Sequence, residues 1–120
     1  HVNNATYLEL YEQARWEFIT KNGYGLDRIH QLQLGPVLLE AHLFFRRELV
    51  NREIITIKSR STGVKGRLMM GLEQIMEKSN GELASKLDIT VGLFDMKKRK
   101  LIEPTPEWLA AIGEISVQEN

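Results

Sequence analysis

The sequence predicts an α+β fold in which one long helix covers one face of an antiparallel sheet. Three observations predict it: a segment of helical period over residues 5–21 with both ends marked, a change to period two after Pro36, and an Asn80-Gly81 hairpin signal between two later alternating runs. The 120 residues suffice for one domain with its own core, and no repeat, low-complexity stretch or linker divides them.

From Ala5 to about Lys21, Tyr7, Leu8, Leu10, Tyr11, Ala14, Phe18 and Ile19 share one sector in helical projection, while Glu9, Gln13, Glu17 and Thr20 lie opposite. Asn3 or Asn4 supplies the N-cap and Asn22-Gly23 the left-handed stop. Leu26 to Gln33 reads as a short helical turn or a loop that Gly35-Pro36 breaks. Val37, Leu39, Ala41, Leu43, Phe45 and Leu49 then alternate with Glu40, His42, Arg46 and Glu48, as in a long half-buried strand; Leu38 and Phe44 intrude on its polar face and Arg47 on its apolar face.

The turn Val50-Asn51-Arg52 leads to a second strand, Glu53 to Arg60, and a loop with Gly63 and Gly66 to a third, Arg67 to Lys78. Ser79-Asn80-Gly81 turns the chain into a fourth strand carrying Leu83, Leu87, Ile89, Val91 and Leu93, because Asn-Gly accepts the positive φ angles of a tight turn. Met96 to Lys100 reads as a basic turn into a short edge segment at Leu101-Ile102. Thr105 then caps a last helix that begins at Pro106 and buries Trp108, Leu109 and Ile112. Four strands in succession predict a meander, and only the first helix is long and apolar enough to cover it.

Sixteen Lys and Arg balance sixteen Asp and Glu, so the field that draws nucleic acid or anionic membranes is missing, and neither is expected as a partner. There is no Cys, hence no disulfide framework and no thiol nucleophile. No apolar run approaches the ~20 residues that span a bilayer, and no secretory signal pattern is present; the expected location is the cytoplasm. His30 and His42 have no second ligand at metal-site spacing, so no metal is expected. Neither a serine nucleophile elbow nor a glycine-rich phosphate loop occurs.

The opening stretch HVNNATYLELYEQARWEF resembles the His-Val-Asn-Asn-x-x-Tyr segment that starts the central helix of hotdog-fold acyl thioesterases, the group of 4-hydroxybenzoyl-CoA thioesterase-like enzymes and acyl-carrier-protein thioesterases. LFFRRELVNREIITI and GELASKLDITVGLFDMKKRKLIEPTPEW resemble the group's second strand and its closing hairpin and tail. The resemblance implies a hotdog fold, a curved antiparallel sheet wrapped around one long helix, over residues 1–120. It also implies a first strand and an acidic residue ahead of His1, so the domain is expected to lack its first strand and the upstream part of the active-site motif.

Thioester hydrolysis needs a polarised carbonyl and an aimed water or carboxylate. Free backbone N–H groups at the start of the first helix favour negative charge on an oxygen held there. The resemblance places His1 beside them to orient water or substrate; Asn3 and Asn4 either cap the helix or hydrogen-bond the thioester. Glu12 and Glu48 are candidate bases, the latter because FRREL resembles a strand segment of acyl-carrier-protein thioesterases in which Arg-Arg-Glu precedes a Cys; here Leu49 stands in that place. Tyr7, Arg60 and Lys65 are candidate substrate-binding residues, the basic pair for the phosphates of coenzyme A, along with Lys58, Arg67 and the run Lys97 to Lys100, all of which also suit solvated turns.

Arg15 falls inside the apolar sector of the helix and requires a partner, for which Glu12 is the local carboxylate. Met69, Met70 and Met76, with Leu68 and Leu72, suit either an adaptable acyl pocket or ordinary core. The expected function is hydrolysis of an acyl-CoA to a free acid and CoA, with no cofactor beyond the coenzyme A of the substrate, in a homodimer or homotetramer joined strand to strand. Hydrolysis of an acyl-carrier-protein thioester, or a non-hydrolytic acyl-binding or oligomerisation domain, is the alternative.

Overall fold

The long helix α1, Asn4–Lys21, starts where Asn3 is extended, and Asn3 Oδ1 accepts a hydrogen bond from Thr6 N at 2.9 Å. This satisfies one of the donors that every helix start leaves over. It ends at Asn22 and Gly23, the latter at φ 91°, a left-handed stop that glycine adopts without strain. The computed structural model describes residues 3–50 and 52–114. After α1 come α2, Leu26–Leu32; strands β1, Leu34–Phe45, β2, Ile55–Lys65, β3, Met69–Lys78, β4, Leu83–Asp95, and β5, Lys100–Ile102; and α3, Pro106–Ala111.

The strands form one antiparallel sheet in the order β1-β4-β3-β2, with β5 paired to β4. The expected meander holds only for β2, β3 and β4. β1 pairs with β4 from Leu34↔Asp95 to Phe45↔Ser85, so β1 and β2, consecutive in the chain, stand at opposite edges. The reason lies in β4, the strand most fully buried: Ala84, Ser85, Leu87 and Ile89 to Leu93 need neighbours on both sides. Because β1 fills one side of β4 as far as Asp95, β5 takes the other side beyond the Met69↔Gly92 pair that ends β3.

β1 begins at Leu34, three residues earlier than its sequence pattern, and passes through Gly35 and Pro36, a proline tolerated because this is an edge strand. A bulge between Leu38 and Glu40 resets its phase: Leu38 pairs with Val91, whereas Ala41, Leu43 and Phe45 pair with Ile89, Leu87 and Ser85. The Leu38 that breaks a simple alternation thus shares a face with Ala41 and Leu43. Leu39 lies over the opposite face, where a Cβ on Gly92 would meet Leu101 Cδ2 at 2.7 Å and Leu39 Cδ1 at 3.3 Å.

The face of the sheet carrying Ser85, Leu87, Ile89, Val91 and Leu93 meets α1, as the hydrogen bond between the Tyr11 and Ser85 hydroxyls shows. Met70, Leu72, Gln74 and Met76 extend that face onto β3, and Ile57 and Ser59 onto β2. Tyr7, Tyr11 and Ile19 of α1 close over it, with Trp108 of α3 at the far end. Thr105 Oγ1 accepts from Trp108 N at 3.2 Å and Pro106 occupies the first turn, the cap predicted for this helix. The Trp108 ring packs edge-on against Tyr24 at 5.1 Å and donates from Nε1 to Met70 Sδ. Asn22 Nδ2 donates to Ala111 O at 2.7 Å, and Arg28 grips both oxygens of Glu107 at 2.6 and 2.8 Å, fixing α3 against α1 and α2. Among the described residues, no helix is long and apolar enough to cross a membrane.

Candidate active site

The start of α1 presents backbone N–H donors and a side-chain cap. Thr6 N–H is taken by Asn3 Oδ1 and Tyr7 N–H by Asn3 O, which leaves the N–H groups of Asn4 and Ala5 without an intrahelical acceptor. Asn3 therefore acts as the cap, whereas Asn4 is exposed as the first helical residue. His1 lies outside the described residues. Tyr7 is 3% exposed and stacks edge-on against Phe45 at 5.0 Å, so it anchors the helix start to the end of β1 and offers a substrate little surface. Beyond Phe45 the chain runs on to Glu48, whose carbonyl accepts from Lys78 Nζ at 3.3 Å, and to the buried Leu49.

Glu12 is not at the helix start. It follows Asn4 by eight positions, about 12 Å along the axis, and lines a cavity of ≈ 160 Å³ with Arg15, Trp16, Phe18, Ile19, Pro36, Leu38, Leu72, Val91 and Trp108. The cavity lies between the second half of α1 and the beginning of β1. Of the methionines expected at a pocket, Met70 and Met76 are fully buried core and Met69 is 39% exposed, while Leu72 reaches the cavity wall.

Arg15 stands between Tyr11 and Ile19 on the buried stripe of α1, as its position in the sequence predicts, but its hydrogen-bond partner is not Glu12. Nη1 donates to Gln74 Oε1 at 2.9 Å, and Glu12 acts on the guanidinium only through its field. Burial pushes the Arg15 pKa down and the Glu12 carboxylate opposes this. Gln74, fully buried, also donates from Nε2 to Tyr11 O at 3.1 Å and to Ser59 Oγ at 3.0 Å. Tyr11 is pushed up to about 12, chiefly by burial, with the Ser85 hydrogen bond opposing and Tyr7 adding. Sequence reasoning passed over Gln74, Ser59 and Ser85; the available signal was a glutamine in the otherwise apolar row Met70, Leu72, Gln74, Met76.

Arg60 and Lys65 project from the other face of the sheet. Arg60 pairs with Glu73 at 2.8 Å, and Lys65 Nζ donates to Thr90 Oγ1 at 3.3 Å beside Glu40 and His42. Lys58 and Arg67 are likewise engaged, with Glu77 at 3.2 Å and Glu103 at 2.7 Å. The fold therefore does not bring Arg60 and Lys65 to the start of α1 within one chain. No group of three or more His, Cys, Asp or Glu among the described residues is placed to hold a metal ion.

A long capped helix laid across an antiparallel sheet, its first turn beside the end of an edge strand, is the hotdog arrangement of thioesterases, and comparison with known proteins agrees. Residues 1–112 match the model of the thioesterase-like superfamily, and the chain belongs to that family. It is 28% identical over 102 residues to the long-chain acyl-CoA thioesterase FadM of Escherichia coli K12, covering 85% of this chain and 76% of that one. Among solved structures, it superposes on the probable thioesterase YbaW of Escherichia coli with a TM-score of 0.82 at 24% identity, over 95% of this chain and 85% of that chain. The SAV2348 protein of Staphylococcus aureus, solved in complex with CoA, gives a TM-score of 0.84 at 16% identity over 98% and 77%. The class of activity is thioester hydrolysis.

Proposed function

We propose that the protein hydrolyses a long aliphatic acyl-CoA to the free acid and CoA in the cytoplasm, with the thioester carbonyl oxygen held at the N–H groups of Asn4 and Ala5. The observation that supports this reading most is the pair of donors without an intrahelical acceptor at the start of α1, in a chain of the thioesterase-like superfamily. A water oxygen adds to the carbonyl carbon, the developing oxyanion is stabilised by the helix start, and collapse breaks the C–S bond and releases the thiol with a proton. Glu48 is assigned, from the resemblance of FRREL to the strand segment of acyl-carrier-protein thioesterases, to take the proton of that water, and His1 and an acidic residue ahead of it complete the set that the family resemblance implies. No cofactor is assigned beyond the CoA of the substrate. The long aliphatic chain follows from the likeness to FadM and from the apolar walls of the cavity along α1.

The proposed assembly is a homodimer through the open edge of β1. That strand exposes Leu38, Leu39, Phe44 and Phe45 at 44% to 52%, whereas β2 at the other edge exposes one large apolar side chain, Val64, beside Lys58 and Arg60; the more apolar edge is the one that recruits a second strand. Sedimentation of the protein and of a Leu39→Lys variant reads the assembly directly. Thiol release from acyl-CoAs of increasing length, measured on the natural protein beside the same acyl groups on acyl carrier protein, tests the activity. Turnover that rises with chain length on CoA supports the proposal, turnover on the carrier protein alone corrects the substrate, and binding without thiol release rejects hydrolysis.

A further inference from the structure

Besides its thioester, an acyl-CoA carries a nucleotide half with a pyrophosphate and a 3′-phosphate, and these anions call for cations. The basic residues that charge alone singles out do not serve the start of α1 within one chain. Lys58, Arg60 and Arg67 are each spent on a glutamate and Lys65 on Thr90. The run Lys97 to Lys100 lies past Asp95, which pairs with Leu34 at the other end of β1, eleven residues or about 36 Å from Phe45.

The sheet end that meets the start of α1 is marked by the Tyr7 and Phe45 rings, 5.0 Å apart, and there the chain leaves β1. Arg46 N and Arg47 N both donate to Ala84 O, at 2.8 and 2.9 Å, which holds the turn against the start of β4. At the end of β3, Lys78 Nζ donates to Glu48 O at 3.3 Å and meets the Glu53 carboxylate at 3.2 Å, so the connection from β1 to β2 is tied to this same sheet end. Two carboxylates here are already matched: Glu53 by Lys78 and the Val50 N–H, and Glu82 by Arg47 at 3.5 Å. Arg46 and Arg52 are exposed, and among the described residues neither guanidinium has a hydrogen-bond or ion-pair partner. Arg52 also stands at φ 68°, a left-handed position that turns fill with Asn or Gly, so the backbone gives no reason for a long cation there.

On the reading that an acyl-CoA is hydrolysed at the start of α1, we propose that Arg46 and Arg52 hold the phosphates of its nucleotide half and so favour the CoA thioester over one without a nucleotide. A guanidinium offers a planar fork of donors that matches phosphate oxygens two at a time, and here no existing partner must be displaced first. The chain as a whole carries no net charge, so the attraction is local to these two side chains rather than a property of the whole surface.

The test is the double variant Arg46→Gln with Arg52→Asn, the second a residue suited to the left-handed backbone. It is assayed on a long-chain acyl-CoA and on the same acyl group carried by pantetheine, which keeps the thioester and its arm but has no phosphate. The natural protein should show a KM about tenfold lower for the CoA thioester, and the double variant should erase that difference with kcat changed less than twofold. Arg46→Gln alone should raise the KM for acyl-CoA about threefold, whereas Lys21→Gln, which removes an exposed cation at the far end of α1, should leave it unchanged. A thermal melt reports folding, and titration with CoA alone reads the contact without turnover, with a Kd about tenfold higher expected in the double variant. An unchanged KM and Kd in the folded double variant overturn this inference and leave the thioesterase reading intact. An equal rise in KM for both thioesters also overturns it, since the arginines would then act on the thioester site and not on phosphate. Binding of CoA that weakens in the double variant, in a protein that releases no thiol from either substrate, rejects hydrolysis and keeps the inference.

Discussion

The two faces of the sheet handle polar groups in opposite ways. Toward α1, Tyr11, Ser85, Gln74 and Ser59 are buried or half-buried with specific hydrogen bonds, and the guanidinium of Arg15 is held by an amide. On the other face, Arg60 meets Glu73, Glu73 lies across from Asp88, Lys86 reaches both carboxylates, and His42 faces Glu40 at 3.3 Å, a solvated lattice of polar and charged contacts. The charged face makes the sheet soluble and permits substitution, since exposed pairs contribute little. The neutral face fixes the geometry, because each polar group there loses its hydration and must keep its partner. Function is expected where replacement is costly.

Substitutions sharpen that contrast in descending order. Trp108→Ala, which empties the end of the helix-side core and opens the cavity floor, should cost about 4 kcal/mol in denaturant unfolding. Gln74→Leu leaves the Arg15 donor, the Ser59 hydroxyl and Tyr11 O without their partner and should cost about 3 kcal/mol; an equal loss for Gln74→Leu in an Arg15→Met background would show that Arg15 is not what Gln74 holds.

The third effect is one of pH. Tyr11 titrates near 12 in the native state and 10 when unfolded, so the native state retains a proton that the unfolded chain gives up. Its contribution, on the order of 2 kcal/mol, is fully present below pH 10 and is lost as pH rises through 12. Tyr11→Phe should flatten that alkaline limb of a stability profile. Smallest is Glu73→Ala on the outer face: about 0.5 kcal/mol of stability and less than a twofold change in kcat/KM. A large catalytic loss there would break the division between the faces.

Much of the fold was legible because its cues are local. Asn3, Asn22-Gly23, Asn80-Gly81 and Thr105-Pro106 act through their own backbone, and each marks the end or turn it predicts. The neighbours of β1 were not legible, since its pairing with β4 depends on burial shared by strands some fifty residues apart, and the bulge at Leu39 hides the phase on which a period-two reading rests. The start of α1 is legible from its cap, Asn3. Gln74 is not legible because a glutamine in a strand carries no sign of which face it occupies, and the partner of Arg15 lies across the helix–sheet interface, whereas local spacing points one helical turn away, to Glu12. Arg60 and Lys65 were selected by charge, which does not specify a face of the sheet.

The central claim is that a backbone donor at the start of α1 polarises the thioester, and a pair of variants at one position isolates it. Asn4 is the first helical residue and Asn3 before it is extended, a conformation that accepts a following proline, so Asn4→Pro removes one N–H while leaving the helix intact. Asn4→Ala removes the same side chain and keeps that donor. With the two variants equally stable to unfolding, Asn4→Pro should turn over a long-chain acyl-CoA about a hundredfold more slowly in kcat than Asn4→Ala; equal kcat values for the two would contradict the assignment of the helix start as the site of carbonyl polarisation.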